Sequence, residues 1–452
     1  MDFKKKITDK IAENIKNKLT FNVLYVSDET SRMAFSRGLT AMEEFKHFYG
    51  NLANVSMTTM DSKRFIDVEP DLSKYNVLWI DNVINRAFNG VVVDRVSKVI
   101  DSLTPNWRKE LDKLKTPEAK AEYIADANEY RALSIRVVYC IDEFVWDAPA
   151  GRQRTIIDGI TVQDAMGYAD EVIVPNVEMA SVIKDIGLVD EKKEVLIIPT
   201  FMSDSFYPVN KIFHKSKSLE TTIRRPKILV KGTTIPKNVQ DFIIHGYEDY
   251  DFTISTVSEL DPRIMKLLQT PSKYDKKAPA VRNLQHWSNP YVNARNMTKT
   301  IAIERDAAFD FTILTVPDDI ASDIYNLTNT DTDALMAIAS GSVAIAEVDD
   351  AEFQPGTHIC VDTGLSFGLK TPVKAINGII EKWSTCAEWD KAFDAQRKIL
   401  GTKLVSSPAV LGGFFNAMLG RRFANERKKY FGEKDELVVA NEGKAEDTEE
   451  SK

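Results

Sequence analysis

Phe21–Ser27 reads FNVLYVS, a β-branched and aromatic run that ends in small polar residues. From Arg32 to Tyr49 the apolar residues Met33, Phe35, Leu39, Met42, Phe45 and Phe48 follow at helical spacing. Strand, loop and helix in that order open a parallel α/β sheet. Before the strand, Phe3, Ile7, Ile11, Ile15 and Leu19 recur every four residues and predict an amphipathic helix over 3–19.

The unit repeats outward along the chain. Val77–Ile80 (VLWI) and Ile135–Ile141 (IRVVYCI) are continuous apolar runs, the pattern of strands covered on both faces. Val91–Leu114 is helical with a break at Pro105. Helices at about 156–168 and 177–186 alternate with strands Glu171–Val174 (EVIV) and Val195–Ile198 (VLII). These elements predict a doubly wound domain over 20–208. Val209–Arg225 is polar and Lys-rich and reads as a linker. The alternation restarts with Lys227–Val230 (KILV), Phe252–Ser255 (FTIS), Phe311–Leu314 (FTIL), Ala344–Ala346 (AIA) and His358–Val361 (HICV), a second domain over 226–405. A helix over 406–431 carries Phe414, Phe415, Met418, Leu419, Phe423 and Tyr430, and residues 432–452 form an acidic tail expected to be disordered. The fold class expected is α/β, two doubly wound Rossmann-like domains whose strand ends face a cleft.

Composition narrows the function. In 452 residues, 59 Lys and Arg against 67 Asp and Glu leave a net charge of −8, which excludes a strongly basic nucleic-acid coat. Eight acids against three lysines concentrate the negative charge after residue 431. Cys140, Cys360 and Cys386 are odd in number and far apart, so neither a disulfide framework nor a paired-cysteine metal site is expected. Five scattered histidines give no zinc pattern. No apolar run approaches the roughly 18 residues of a membrane span, and the basic N-terminus has no signal-peptide core, so the expected location is cytoplasmic.

Several segments together carry a resemblance. Tyr139–Pro149 (YCIDEFVWDAP) is similar to the acidic strand end of bacterial and phage glycosyltransferases, and Tyr168–Asn176 (YADEVIVPN) to their next strand step. Val195–Thr200 with Phe206-Tyr207-Pro208 resembles the end of the first domain in GT-B glycosyltransferases, with Thr200 where Asn is usual. In the second half, Ile228–Thr234 (ILVKGTT) resembles the strand and glycine turn at the donor phosphates, Phe309–Pro317 an "Asp, apolar strand, Pro" step, and Ala337–Glu347 the helix end, glycine and strand that follow. One position departs: five residues before Gly341 the family carries Glu, and this chain has Met336.

The resemblance implies a GT-B glycosyltransferase of the family 1/4-like kind, metal-independent and retaining, using a nucleotide-sugar as substrate and needing no cofactor. The donor would be bound by Lys231, Gly232, Thr233, Lys237 and Gly341, with Asp331 and Asp333 in place of the missing Glu. Asp142 and Glu143 would serve as catalytic groups, and Ser27, Asp28 and Arg32 would meet the acceptor, a glycan, a protein or modified DNA. If the chain is phage-encoded, the place of action is the host cytoplasm. Plainer readings stand beside these: a strand-ending glycine with solvated lysines, helix caps for the acids, turn chemistry at 27–32. His245 reads as a packed side chain. Arg421, Arg422 and Arg427–Lys429 read as a solvated helix end, though a modified-DNA acceptor would need such a patch. The alternative function is a catalytically inactive GT-B protein with a structural or interaction role, such as a virion component; a third reading is a binding protein without turnover.

Overall fold

The structure, a computed structural model, describes residues 3–15, 19–27, 53–81, 86–141, 167–185, 193–207, 221–232, 234–256, 259–284, 295–315, 332–348, 358–404 and 406–420, with isolated residues besides. The described residues form two compact units. One is drawn from 1–142, 154–199 and 405–452, the other from 200–404.

In the first unit six parallel strands, β1 (Leu19–Ser27), β2 (Ala53–Met60), β3 (Val77–Asp81), β4 (Arg136–Cys140), β5 (Glu171–Val174) and β6 (Leu196–Ile197), lie in the order β2-β1-β3-β4-β5-β6. This is the flavodoxin-type order 2-1-3-4-5 extended by one strand. The central strands β3, β4 and β5 are buried almost throughout, as their unbroken apolar runs require. Helix α1 (Phe3–Ile15) buries Phe3, Ile7, Ile11 and Ile15 on one face, while Leu19 already belongs to β1. Around the sheet lie α2 (Ser62–Val68), α3 (Arg86–Leu103), α4 (Trp107–Lys113), α5 (Pro117–Ala132) and α6 (Val177–Asp185). Pro105 falls in the break between α3 and α4, because it cannot donate to the helical ladder.

The second unit holds β7 (Lys227–Lys231), β8 (Asp251–Ser255), β9 (Arg282–Asn283), β10 (Phe311–Leu314), β11 (Val343–Val348) and β12 (Ser366–Gly368), all parallel, in the order β12-β11-β10-β7-β8-β9. Read from the other edge, this is the Rossmann order 3-2-1-4-5-6. Its helices are α7 (Lys237–Gly246), α8 (Pro262–Leu267), α9 (Arg295–Ala307), α10 (Thr332–Ser340), α11 (His358–Asp362), α12 (Val373–Lys382) and α13 (Cys386–Thr402). Thr385 caps α13 through the Glu388 N–H, with Glu388 at the third helical position, a capping-box pattern. From α13, Gln396 reaches the sheet and satisfies both the N–H and the carbonyl of Ala344 (2.9 and 2.7 Å).

The last helix, α14 (Pro408–Leu419), belongs to the first unit. Its Phe414 stacks on Trp79 of β3 with ring centroids 5.0 Å apart, and Phe415 meets Phe21 edge-on at 5.9 Å. Each such pair adds about 0.5–1.5 kcal/mol beyond the area it buries. The helix stops at Gly420, whose φ of 82° favours glycine.

The expected α/β class with two doubly wound Rossmann-like domains is what the structure shows. Two local expectations are corrected. His358–Val361, read as a strand, is helix α11, and the strand comes later as β12. A four-residue apolar run suits either state; here Ile359 and Cys360 are buried while Val361 is 37% exposed, and Gly364 (φ 69°) ends the turn before the chain enters the sheet. His245, read as packed, is exposed on the last turn of α7, because helical spacing sends Phe242 and Ile243 to the core and turns position 245 outward. Of the expected helices at 32–49 and 156–168 only His47 and residues 167–168 are described, all helical; most of the linker, the acidic tail and the basic residues at 421–422 and 427–429 lie outside the described residues.

Candidate functional site at the strand ends

In open α/β sheets a ligand seat forms where the strand order reverses, beyond the C-terminal ends of the strands. In the second sheet that point lies between β7 and β10. Lys231 ends β7, Ser255 ends β8, Thr315 follows β10 and Glu347 lies near the end of β11. Gly232 turns the chain away from β7, its N–H donating to the Ser255 carbonyl (3.2 Å). A Cβ here would collide with the Thr315 hydroxyl and stand 2.8 Å from the Thr315 carbonyl. Glycine is therefore required by close approach. Thr315 ties the crest together: its N–H donates to the Lys231 carbonyl (2.9 Å) and its hydroxyl to the Thr234 carbonyl (2.6 Å).

Helix α7 then starts with its first turn beside this crest. Pro236 occupies its N-cap and makes no side-chain cap, and Lys237 is exposed at the first helical position. Amides at such a start carry partial positive charge and suit an anion. Asn238, one residue on, donates to Glu347 Oε1 (3.1 Å), and Glu347 is fully buried. Thr234 Oγ1, Asn238 Oδ1 and Ser255 Oγ are buried with no hydrogen-bond partner among the described residues. An unsatisfied buried polar atom costs about 1–3 kcal/mol, so three at one crest make it a candidate polar site.

Lys231 is 1% exposed and lies between Asp333 Oδ1 (3.1 Å) and Glu304 Oε1 (3.5 Å). Glu304, on α9, is equally buried, whereas the Asp333 side chain at the start of α10 is 46% exposed. Burial pushes the Glu304 carboxyl above the usual range; Lys231 opposes the rise and Asp333 adds to it. The Lys231 cation is thus already matched by two carboxylates. Met336 packs in the core of the unit, and every residue from Ala334 to Ser340 is buried. Gly341 (φ 94°) sits between α10 and β11, next to the start of the strand, at the opposite edge from Lys231. The expected donor set therefore divides: Lys231, Gly232, Lys237 and Asp333 share one crest, and Gly341 does not. Thr233 and Asp331 lie outside the described residues.

In the first sheet the order reverses between β1 and β3, where Ser27 and Asp81 are register partners at the strand ends. The Tyr25 hydroxyl donates to Asp81 Oδ2, and both side chains are buried. Burial first, and then the Asp81 charge, push the Tyr25 hydroxyl well above its usual range. Asp81 was missed in the sequence; its signal was an acid directly after VLWI. Asp28, Arg32, Asp142 and Glu143 lie outside the described residues.

A cavity of about 340 Å³ opens at the opposite edge of this sheet, lined by Arg136, Glu171, Lys193 and Leu419 among others. There Arg136 donates to the Ala417 carbonyl (2.6 Å) and pairs with Glu171 (3.2 Å), interactions that fasten α14 to β4 and β5. Among the described residues no cluster of His, Cys, Asp and Glu is arranged to hold a metal, and no helix is long and apolar enough to cross a membrane.

No family model and no curated protein sequence matches the chain. Solved structures do resemble it. An alpha-glucosyltransferase in complex with UDP-glucose and DNA containing an abasic site is 13% identical, with 88% of this chain and 99% of that chain covered and a TM-score of 0.49. Sucrose-phosphate synthase from Thermosynechococcus elongatus is 12% identical, covering 90% and 100%, also at 0.49. The alpha,alpha-trehalose 6-phosphate synthase of Burkholderia multivorans is 10% identical, covering 91% and 98%, at 0.41.

Proposed function

We propose that the chain is a glycosyltransferase, metal-independent and retaining, that moves a sugar from a nucleotide-sugar to an acceptor. The observation that carries this reading is the crest of the second sheet: a glycine approach, an uncapped helix start with Lys237, and three buried polar atoms awaiting partners, all at the reversal of a Rossmann sheet. In this reading Gly232 lets the backbone approach the donor diphosphate. The first amides of α7 and Lys237 stabilise charge on the leaving nucleotide as the glycosidic bond breaks. Thr234, Asn238 and Ser255 take up hydroxyl or phosphate oxygens. Lys231 acts through position rather than by direct contact, holding Asp333 at the rim against buried Glu304. Ser27 and Asp81 mark the corresponding crest of the first sheet, where Asp28, Arg32, Asp142 and Glu143 would meet the acceptor and assist proton transfer. Three buried thiols suit a reducing, cytoplasmic setting.

A panel of uridine, adenosine, guanosine and thymidine diphosphate sugars tests it. At least one should raise the unfolding temperature and release nucleoside diphosphate on incubation with acceptor extracts. Indifference to the whole panel would remove the reading. A second reading, a non-catalytic protein on the same fold, is favoured by two observations: Met336 is sealed in the core, and the Lys231 charge is already matched. It predicts stoichiometric association with a larger assembly, such as a virion, and no response to any donor.

A further inference from the structure

The connection from α8 to β9 is an exposed loop with an ordered base. Pro271 and Pro279 form an antiparallel bridge, Ser272 N–H donates to the Ala278 carbonyl (2.8 Å) and Ala280 N–H to the Thr270 carbonyl (2.7 Å). Inside that staple, Tyr274 N–H donates to Ser272 Oγ (3.2 Å) and Lys277 N–H to Asp275 Oδ1 (2.9 Å). The tip Lys273–Lys277 (KYDKK) is therefore held in one shape while exposed to solvent. The base of the loop is buried at Ser272 and Ala280, whereas Tyr274 at the tip is 58% exposed.

The ring of Tyr274 is also flanked by cations. The Arg225 guanidinium lies 4.1 Å from its centroid and the Lys273 ammonium 5.6 Å. Lys273 is tied to Glu248 (3.0 Å), but Lys276 and Lys277 make no ion pair among the described residues. The segments 224–225 and 270–280 carry five cations, Arg224, Arg225, Lys273, Lys276 and Lys277, against one acid of their own, Asp275, with Glu248 paired to Lys273; that is a local positive excess on a chain of net charge −8. A solvent-exposed aromatic ring with a guanidinium over it and unpaired lysines in the same loop is an arrangement in which a base can stack while its phosphates are neutralised.

We propose that the 270–280 loop, with Arg225, is a docking surface for single-stranded nucleic acid, Tyr274 stacking a base and Lys276 and Lys277 meeting the backbone. The surface stands apart from the donor site. Arg225 precedes β7 and the loop precedes β9, so both lie at the strand-start edge of the sheet, opposite Lys231 and Gly232. It tethers the chain to a strand and takes no part in sugar transfer.

The test is fluorescence anisotropy of the full chain with a labelled oligothymidylate of about 20 nucleotides, across a salt series. Saturable, salt-sensitive binding is expected. Tyr274→Ala should weaken it by about 5- to 150-fold, the range for removal of one base stack, and Tyr274→Phe should restore it. Lys276→Glu with Lys277→Glu should flatten the salt slope by about 0.7 for each phosphate no longer neutralised. All the altered side chains are exposed, so the thermal unfolding of each variant should match the parent. Absence of binding at low salt, or binding indifferent to Tyr274→Ala, overturns the proposal. So does equal, Tyr274-independent binding of heparin or of poly-glutamate, which would reduce the loop to a general or protein-directed anion patch.

Discussion

Replacing Lys231 with Met tests the charge arrangement under the second sheet's crest. Lys231 and Glu304 are each 1% exposed, 3.5 Å apart, and Asp333 closes the other side at 3.1 Å. Removing one member of a buried pair leaves an uncompensated charge and costs about 3–5 kcal/mol. For a unit of this size each kcal/mol lowers the unfolding temperature by about 2–4 °C, so Lys231→Met should lower it by about 6–20 °C at neutral pH. The cost lies in the stranded Glu304, so Lys231→Met with Glu304→Leu should return to within a few degrees of the parent. The pH dependence has a fixed sign. Burial already raises the Glu304 carboxyl, and without Lys231 it rises further. Folded Glu304 then keeps its proton to higher pH than the unfolded chain does, so the variant's deficit is absent below the ordinary carboxylate range and grows as pH climbs through the raised value. Thermal unfolding across pH, paired with hydrogen exchange of β7 and α9 to assign the transition, reads all of this. A single variant as stable as the parent, or a double variant no better than the single, would refute the reasoning.

Gly232→Ala forces the new Cβ against Thr315, and should destabilise the second unit by about 1–3 kcal/mol while weakening any nucleotide binding, both read by thermal shift with and without nucleoside diphosphate. Asp333→Asn removes a half-exposed carboxylate from the crest; calorimetry with nucleoside diphosphates should show tighter binding by about fivefold, roughly the 1 kcal/mol such a charge carries. Burial, with Glu381 and Asp249, pushes the Tyr250 hydroxyl up to about 12. Its folded value lies above its unfolded one, so its contribution is present below about pH 10 and is lost as pH rises through 12; alkaline unfolding of Tyr250→Phe should be less steep in that window.

Most strands were legible because a strand covered on both faces leaves an unbroken apolar run of the right length, as in VLWI, EVIV, KILV and FTIL. The elements that escaped lie at the sheet edges. Among the described residues strand β2 (ANVSMTTM) pairs with β1 alone and shows a mostly exposed, polar face, so its composition resembles a loop. Strand β9 has two residues, too few for any period. HICV misled for the complementary reason: a short buried helix next to β11 is as apolar as a strand. The order of the strands was not readable, since nothing in the composition of β2 says that it lies outside β1.

The site was legible where chemistry follows a strand end and illegible where it depends on partners distant in the chain. Gly232, Lys237 and the polar residues between them follow KILVK directly, and the rule that ligands gather at strand ends is enough to single them out. What the sequence could not convey is how much of that charge remains for a ligand. Lys231 reads as a phosphate-binding cation when only its neighbours are known; its balance is set by Glu304, 73 positions away, and by Asp333, a helix further on. In the proposed reading an anion at the crest would meet the amides of α7 and exposed Lys237, while Lys231 is paired to Asp333 and Glu304. On that reading the balance between attracting and repelling a diphosphate would turn on Asp333, which is 46% exposed while Lys231 and Glu304 are each 1% exposed. That makes Asp333, rather than the more conspicuous lysine, the residue whose neutralisation should change affinity without unfolding the unit.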